Sequence, residues 1–280
     1  MNTVAGRINP LELFLFTNDI RLAIEGEKAG VNSVIVDWEQ NHKRERQRNH
    51  DTEINQHTPE DVRALSEILM IPVTVRINAL HPNSDREIGL ALDSGARSIM
   101  LPMAREPREV ENFLQLVAGR AKTIVQIETL ELWRCCDGLR DGGWDRAYIG
   151  LNDLKISRGK NSIWELLEDG TVERVFQILR DRTVGFGGVT RIGGGHPLPF
   201  IELLYEMARL DCRFSVLRRS FKQEVAGRNI AAEIQAIRSL WSAAKLRDRE
   251  AIEADRLALL ARLRSINAPT PERIQEIIGG

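Results

Sequence analysis

The sequence has little of what marks a secreted, membrane-spanning or nucleic-acid-binding chain. Only three cysteines occur in 280 residues, two of them adjacent at Cys135 and Cys136. That spacing builds neither a disulfide framework nor a zinc site, so buried or half-buried thiols on a helix are expected. No apolar run approaches the roughly 20 residues needed to cross a bilayer. No basic stretch leads into a long apolar one at the N-terminus. A cytoplasmic protein without a membrane partner is therefore expected. Neither sign of charge dominates: 39 Lys and Arg against 40 Asp and Glu leave a net charge of −1. Such a chain offers no electrostatic footprint for nucleic acid. No linker rich in Pro, Gly or Ser divides it. Small molecules remain as the expected partner.

What is present is regular. Eight apolar segments recur, at Leu13 to Asp19, Ser33 to Gln40, Val73 to Ala79, Ser98 to Ala104, Thr123 to Glu128, Arg146 to Asp153, Phe186 to Ile192 and Phe214 to Phe221. Several are nearly continuous Val/Ile/Leu runs, as expected of parallel strands covered on both faces. Amphipathic helical stretches lie between them. Thr58-Pro59-Glu60-Asp61 opens one with an N-cap hydroxyl, proline at the first helical position and acids in the first turn. Its apolar face runs through Val62, Leu65, Ile68 and Leu69. Pro107 opens another, with Val110, Phe113, Leu114 and Val117 on one side, and Pro199 to Leu210 carries a third. Gly30, Gly95 and Gly119 stand where left-handed caps end helices. The alternation predicts an α/β chain folded as a (β/α)8 TIM barrel over residues 1–222. Residues 223–280 are expected to add C-terminal helices, with apolar stripes at Ile230, Ile234, Ile237 and Trp241 and at Ile252, Leu257, Leu260 and Leu263, then a short helix capped by Thr270-Pro271. Such helices need a surface to cover, and a neighbouring subunit of a homo-oligomer would supply one.

In a barrel of this kind active sites sit at the carboxyl ends of the strands. The residues expected there form a rim of carboxylates, amides and arginines: Asp37 with Glu39, Arg76 with Asn78, Glu128, Asn152 with Asp153, Thr190 with Arg191, and Arg218 to Ser220. Glu128 and Asp153 are the most informative pair. If they close neighbouring parallel strands, their carboxylates emerge side by side, an oxygen donor set suited to a hard divalent cation. The alternative is a pair of buried carboxylates neutralised by rim arginines. Arg76 likewise reads as a substrate contact or as a structural ion pair with Glu128 or Glu39.

Five stretches, in order, carry a resemblance: Gly30-Val31-Asn32-Ser33-Val34-Ile35-Val36-Asp37-Trp38-Glu39, Val75-Arg76-Ile77-Asn78, Gly95-Ala96-Arg97-Ser98-Ile99-Met100-Leu101-Pro102-Met103, Gln126-Ile127-Glu128-Thr129 and Ile149-Gly150-Leu151-Asn152-Asp153-Leu154. Over roughly residues 25 to 160 the chain resembles the HpcH/HpaI aldolase and citrate lyase beta-subunit family, and ordered motifs are far more specific than any one alone. The resemblance implies a divalent-metal-dependent carbon–carbon lyase acting on a 2-keto acid or an acyl-CoA, with Mg2+, Mn2+ or another divalent ion. It implies Glu128 and Asp153 as metal ligands and Arg76 as the contact to the oxygen that becomes an enolate. It also places Asp37 and Glu39 where an acidic stretch orients bound water or the catalytic base. Asn152, Arg191 and His196 join Arg76 as expected substrate contacts.

The chain departs from the pattern at Gln40, where the aldolase branch has a histidine and the lyase branch an aspartate. Glutamine cannot take a proton, so His42, two residues on, and His196, in the Gly-rich loop after the seventh strand, are the alternative bases. Lys155 stands where serine is more usual, which bears on substrate choice. Gln40 to His57 forms a polar loop with Lys43, Arg44, Arg46 and Arg48, either closing over an anionic substrate or solvated. A keto-acid aldolase is the first expectation. An acyl-CoA lyase is the second, although two tyrosines in the whole chain offer little platform for an adenine. A ligand-binding homologue without its base is the third.

Overall fold

The computed structural model describes residues 9–40 and 57–268. Eight parallel strands close into a barrel in sequence order. They are β1 (Glu12–Phe16), β2 (Ser33–Asp37), β3 (Val73–Arg76), β4 (Ser98–Leu101), β5 (Lys122–Ile127), β6 (Arg146–Ile149), β7 (Val184–Phe186) and β8 (Phe214–Leu217). The helices are α1 (Ile20–Ala29), α2 (Pro59–Ile68), α3 (Ser84–Asp93), α4 (Pro107–Val117), α5 (Leu130–Arg134), α6 (Leu151–Ser157), α7 (Glu165–Glu168), α8 (Thr171–Ile178), α9 (Phe200–Arg209), α10 (Arg219–Glu224), α11 (Ile230–Lys245) and α12 (Arg249–Asn267). The expected (β/α)8 barrel with additional C-terminal helices is the observed fold. His42, the basic residues Lys43 to Arg48 and the helix expected at Thr270-Pro271 lie outside the described residues.

The helix starts follow local chemistry. Thr58 and Asp61 form a reciprocal capping box with Pro59 at the first position of α2, which satisfies two backbone donors that the helix itself leaves unpaired. Asp19 caps α1 through the backbone N–H groups of Arg21 and Leu22, and Gly30 ends it at φ 95°. A side chain there would be strained and would also meet the guanidinium of Arg238, whose Nη2 donates to the Gly30 carbonyl. At the end of α4 both Ala118, at φ 51°, and the expected Gly119, at φ 69°, are left-handed.

The strands are shorter at their carboxyl ends than their apolar patterns suggest. After β6 the apolar pattern continues past the last ladder hydrogen bond because Leu151 and Leu154 of the following helix are also buried. The largest correction concerns the sixth segment: β6 ends at Ile149, and Asp153 lies in the first turn of α6. The seventh strand is displaced toward the N-terminus and ends at Phe186, where the segment was expected to begin. Gly187, at φ 105°, breaks the extended run there.

Two apolar layers hold the barrel. Alternate strand residues Phe14, Ile35, Met100, Ile124, Tyr148, Phe214 and Val216 fill its interior, with Phe14 and Phe214 rings 5.2 Å apart. The opposite faces pack against the surrounding helices in one larger cluster. Each fully buried Phe or Leu in these layers contributes about 1.5–3 kcal/mol over an exposed one. The C-terminal helices belong to this second layer. Ile234, Ile237 and Trp241 of α11 are buried, and α11 packs on α1 and α9 while α12 packs on α7 and α9. The buried stripe of α12 passes through Leu259 and Leu263, whereas Leu257, expected on it, is 59% exposed. Of the thiols, Cys136 and Cys212 are buried and Cys135 half-buried. Burial pushes Cys212 up to about 12, which leaves it without thiolate reactivity at neutral pH. Among the described residues no helix is long and apolar enough to cross a membrane.

Candidate active site

Side chains alternate along a strand, so the residues two beyond the interior layer point to the carboxyl mouth of the barrel. On β5 the series Ile124, Gln126 leads to Glu128; on β6, Tyr148 leads to Gly150; on β8, Phe214 and Val216 lead to Arg218. These positions enclose a cavity of about 320 Å3. Arg76, Gln126, Glu128, Tyr148, Asn152, Asp153 and Arg218 supply its polar wall; Ile163, Trp164 and Leu203 supply an apolar one. Sequence reading placed Glu128, Asp153, Arg76 and Asn152 together, and one cavity does contain all four.

Glu128 is 2% exposed. It follows the register pair Ile127 and Ile149, so Gly150 stands directly beside it. A Cβ at Gly150 would lie 2.2 Å from Glu128 Oε2 and 2.8 Å from its Cβ; only glycine leaves room for the carboxylate. Met103 N–H donates to Oε1 at 3.0 Å, from a left-handed backbone at φ 57°, a conformation a methionine rarely adopts. Gln126 Nε2 donates to Oε2 at 3.1 Å. Burial, then the neighbouring charges of Asp153 and Glu39, push the Glu128 carboxyl well above the ordinary range, against the opposing pull of Arg76 and the Met103 N–H.

Arg76 is held from the other side. It is the register partner of Asp37 across β2 and β3. Its Nε and Nη2 donate to the two Asp37 oxygens at 2.8 and 2.7 Å, with Glu39 at 3.4 Å and the Phe16 ring beneath it at 5.0 Å. Burial works against its charge, but Asp37 and Glu39 together outweigh that and hold its pKa above the ordinary guanidinium value. The fork used on Asp37 leaves Nη1 for the cavity. Asp37 itself is fully buried and also accepts from Glu39 N–H at 3.2 Å. Neither Asp37 nor Glu39 lines the cavity; both were expected at its surface, and both act instead on Arg76.

Other expected contacts stand elsewhere. Arg191 points to Glu224 at 3.8 Å and does not line the cavity. His196 is exposed in the turn before Pro197 and likewise lies outside it. Gln40 donates its backbone N–H to Asn78 Oδ1 at 2.9 Å. Lys155 is buried within α6. Four contributors escaped the sequence reading: Gln126, Tyr148, Trp164 and His57. Tyr148 donates to the Gly187 carbonyl at 3.0 Å, and burial raises its phenol. His57 accepts the Asp37 backbone N–H at Nδ1, 2.8 Å, bracing the end of β2. Period-two alternation from Ile124 along β5 and from Arg146 along β6 could have found Gln126 and Tyr148; nothing local marks Trp164 or His57.

A buried carboxylate, Glu128, beside the half-buried Asp153, whose charge raises it, makes an oxygen donor pair of the kind a divalent cation takes. Among the described residues no three His, Cys, Asp or Glu side chains gather as a cation site. A cation on Glu128 and Asp153 would keep most of its coordination positions for water and ligand.

No protein-family model matches the chain, and no curated protein matches it significantly. Solved structures do. An HpcH/HpaI aldolase from Desulfitobacterium hafniense DCB-2 is similar with a TM-score of 0.58 at 14% identity, over 78% of this chain and 91% of that one. The citrate synthase SbnG is similar at 0.57 and 18% identity, over 81% and 94%. The protein CitE from Mycobacterium tuberculosis, in complex with magnesium and pyruvate, is similar at 0.57 and 14% identity, over 90% and 98%.

Proposed function

We propose that the chain is a divalent-cation-dependent carbon–carbon lyase of the aldolase type, acting on a 2-keto acid, and that it belongs with the HpcH/HpaI and citrate lyase-like barrels it resembles. One observation carries the reading: Glu128 and Asp153 share a small cavity with a guanidinium that Asp37 holds in a fixed orientation. In a retro-aldol cleavage of a 4-hydroxy-2-keto acid, the C4 hydroxyl gives up its proton and C4 becomes a carbonyl. The C3–C4 electron pair moves to C3, leaving an enolate that later takes a proton at C3. Glu128 and Asp153 would hold a divalent cation, which would supply Lewis-acid polarisation of the C2 keto group.

The chain's own groups do the rest. Arg76 faces the same oxygen through Nη1 and stabilises its negative charge as the bond breaks, an interaction stronger in the transition state than in the ground state. Asn152, whose Nδ2 is buried without a partner among the described residues, donates to the keto-acid carboxylate. Ile163, Trp164 and Leu203 exclude water from one wall. His42 is retained as the proposed proton acceptor. A CoA thioester ranks below the keto acid, because a cavity of about 320 Å3 suits a small ligand without a nucleotide; saturable calorimetric binding of CoA would reverse that order. The test of the reading is aldol or retro-aldol turnover in Mg2+ or Mn2+, expected to vanish with chelator and in Glu128→Ala. Metal-independent turnover in Glu128→Ala would end it.

A further inference from the structure

We infer that Arg218 is a specificity-determining residue that binds a second anionic group on the ligand, at the end remote from Glu128 and Asp153, so that the site takes keto diacids in preference to keto monoacids. This rests on the keto-acid reading above and assigns the other half of the same cavity.

Arg218 follows Phe214 and Val216 at two-residue intervals, and both of those side chains lie inside the barrel. The same face therefore carries Arg218 to the mouth, where it lines the cavity. The barrel order sets the glycine pair of the β7 loop between it and the acids of β5 and α6. A Cβ at Gly188 would meet Arg218 Cγ and Cδ at 2.6 Å, so the arginine stem lies across a backbone that only glycine keeps low enough.

Two other described arginines near the mouth are engaged: Arg76 by Asp37 and Glu39 through Nε and Nη2, and Arg191 by Glu224. Among the described residues Arg218 makes no ion pair and no side-chain hydrogen bond. Beside it Tyr148 spends its hydroxyl on Gly187 and offers no anion to compensate the charge. The buried Gln126, 3% exposed, lines the same cavity beside Glu128, with Oε1 unpartnered among the described residues. An unpaired, half-buried guanidinium fixed on a cavity wall is suited to a planar carboxylate, which it holds through two parallel hydrogen bonds. Trp164 and Leu203 add apolar lining to the same cavity, suited to a short carbon chain.

The experiment is calorimetric titration of the full chain in Mg2+ with 2-oxoglutarate and with 2-oxopentanoate, which match in length and differ in the second carboxylate. Wild type is expected to bind the diacid about 30-fold more tightly, the scale of a charge-assisted bidentate contact. Arg218→Gln is expected to bring the two within about threefold by weakening the diacid alone, and Arg218→Lys to restore part of the preference. Equal binding of the two by wild type, or equal weakening of both in Arg218→Gln, would overturn the assignment. If neither keto acid binds, the keto-acid reading fails separately. Glutarate against pentanoate in metal-free buffer then decides: a diacid preference of about tenfold or more that Arg218→Gln removes upholds Arg218, and no preference overturns it.

Discussion

At Gly150 a single hydrogen in place of a methyl group determines whether the Glu128 carboxylate can sit where it does. Gly150→Ala puts a carbon 2.2 Å from Glu128 Oε2, and overpacking of this kind costs about 1–3 kcal/mol. The expected outcome is a fall in divalent-ion affinity of tenfold or more with an unchanged far-UV circular dichroism spectrum. Glu128 carries a second consequence. A carboxyl whose folded pKa is raised stabilises the fold while protonated and loses that contribution as pH rises through the raised value. Metal-free Glu128→Gln should therefore melt above wild type at pH 8, with the gain shrinking toward pH 5; calorimetric scans at both pH values check the sign. Asp37→Ala leaves Arg76 buried without its main partner, which costs about 3–5 kcal/mol, read as a lower urea midpoint. Glu128, Asp153, Arg76 and Asn152 were legible in the sequence because apolar runs ending in polar residues mark the mouth of a barrel. Arg191 and His196 were not, because the extended run of β7 breaks at Gly187 and only an isolated bridge at Val189 continues it, so strand logic no longer says where a side chain points.

At the scale of elements, alternation made all eight strands legible and capping several of the helices, but not their boundaries. Asp153 shows why: the apolar residues Leu151 and Leu154 of α6 continue the pattern of β6, since both elements are buried, and only Gly150 marks the change of backbone. The docking of α12 was half legible. Its buried stripe turns about the charged residues Asp255 and Arg256, because the contact it makes is ionic as well as apolar. Glu206 of α9, 2% exposed, accepts from Arg209 at 2.7 and 2.9 Å and from Arg256 of α12 at 2.7 Å, and Arg256 continues to Glu173 at 3.1 Å. Glu206→Ala leaves two arginines facing one another around an emptied site. A loss of about 3–5 kcal/mol is expected in equilibrium denaturation, and much less for Glu206→Gln, which keeps an acceptor in place.

For the whole molecule, the expected division into a core of residues 1–222 and helices at 223–280 is a proposal about sequence organisation rather than about independent folding. Ile234, Ile237 and Trp241 cover α1 and α9, so a chain ending at residue 222 should expose that surface and bind a hydrophobic dye, while the full chain unfolds in one transition. Self-association, the other role proposed for these helices, is read by sedimentation equilibrium. The keto-acid chemistry and the role of Arg76 depend on one cation held between β5 and α6. Titration of Mn2+ followed by electron paramagnetic resonance tests that directly. One ion should bind per chain, with affinity reduced at least tenfold in both Glu128→Gln and Asp153→Asn and retained in Arg218→Gln. Mn2+ binding by both carboxylate variants at wild-type strength would contradict it.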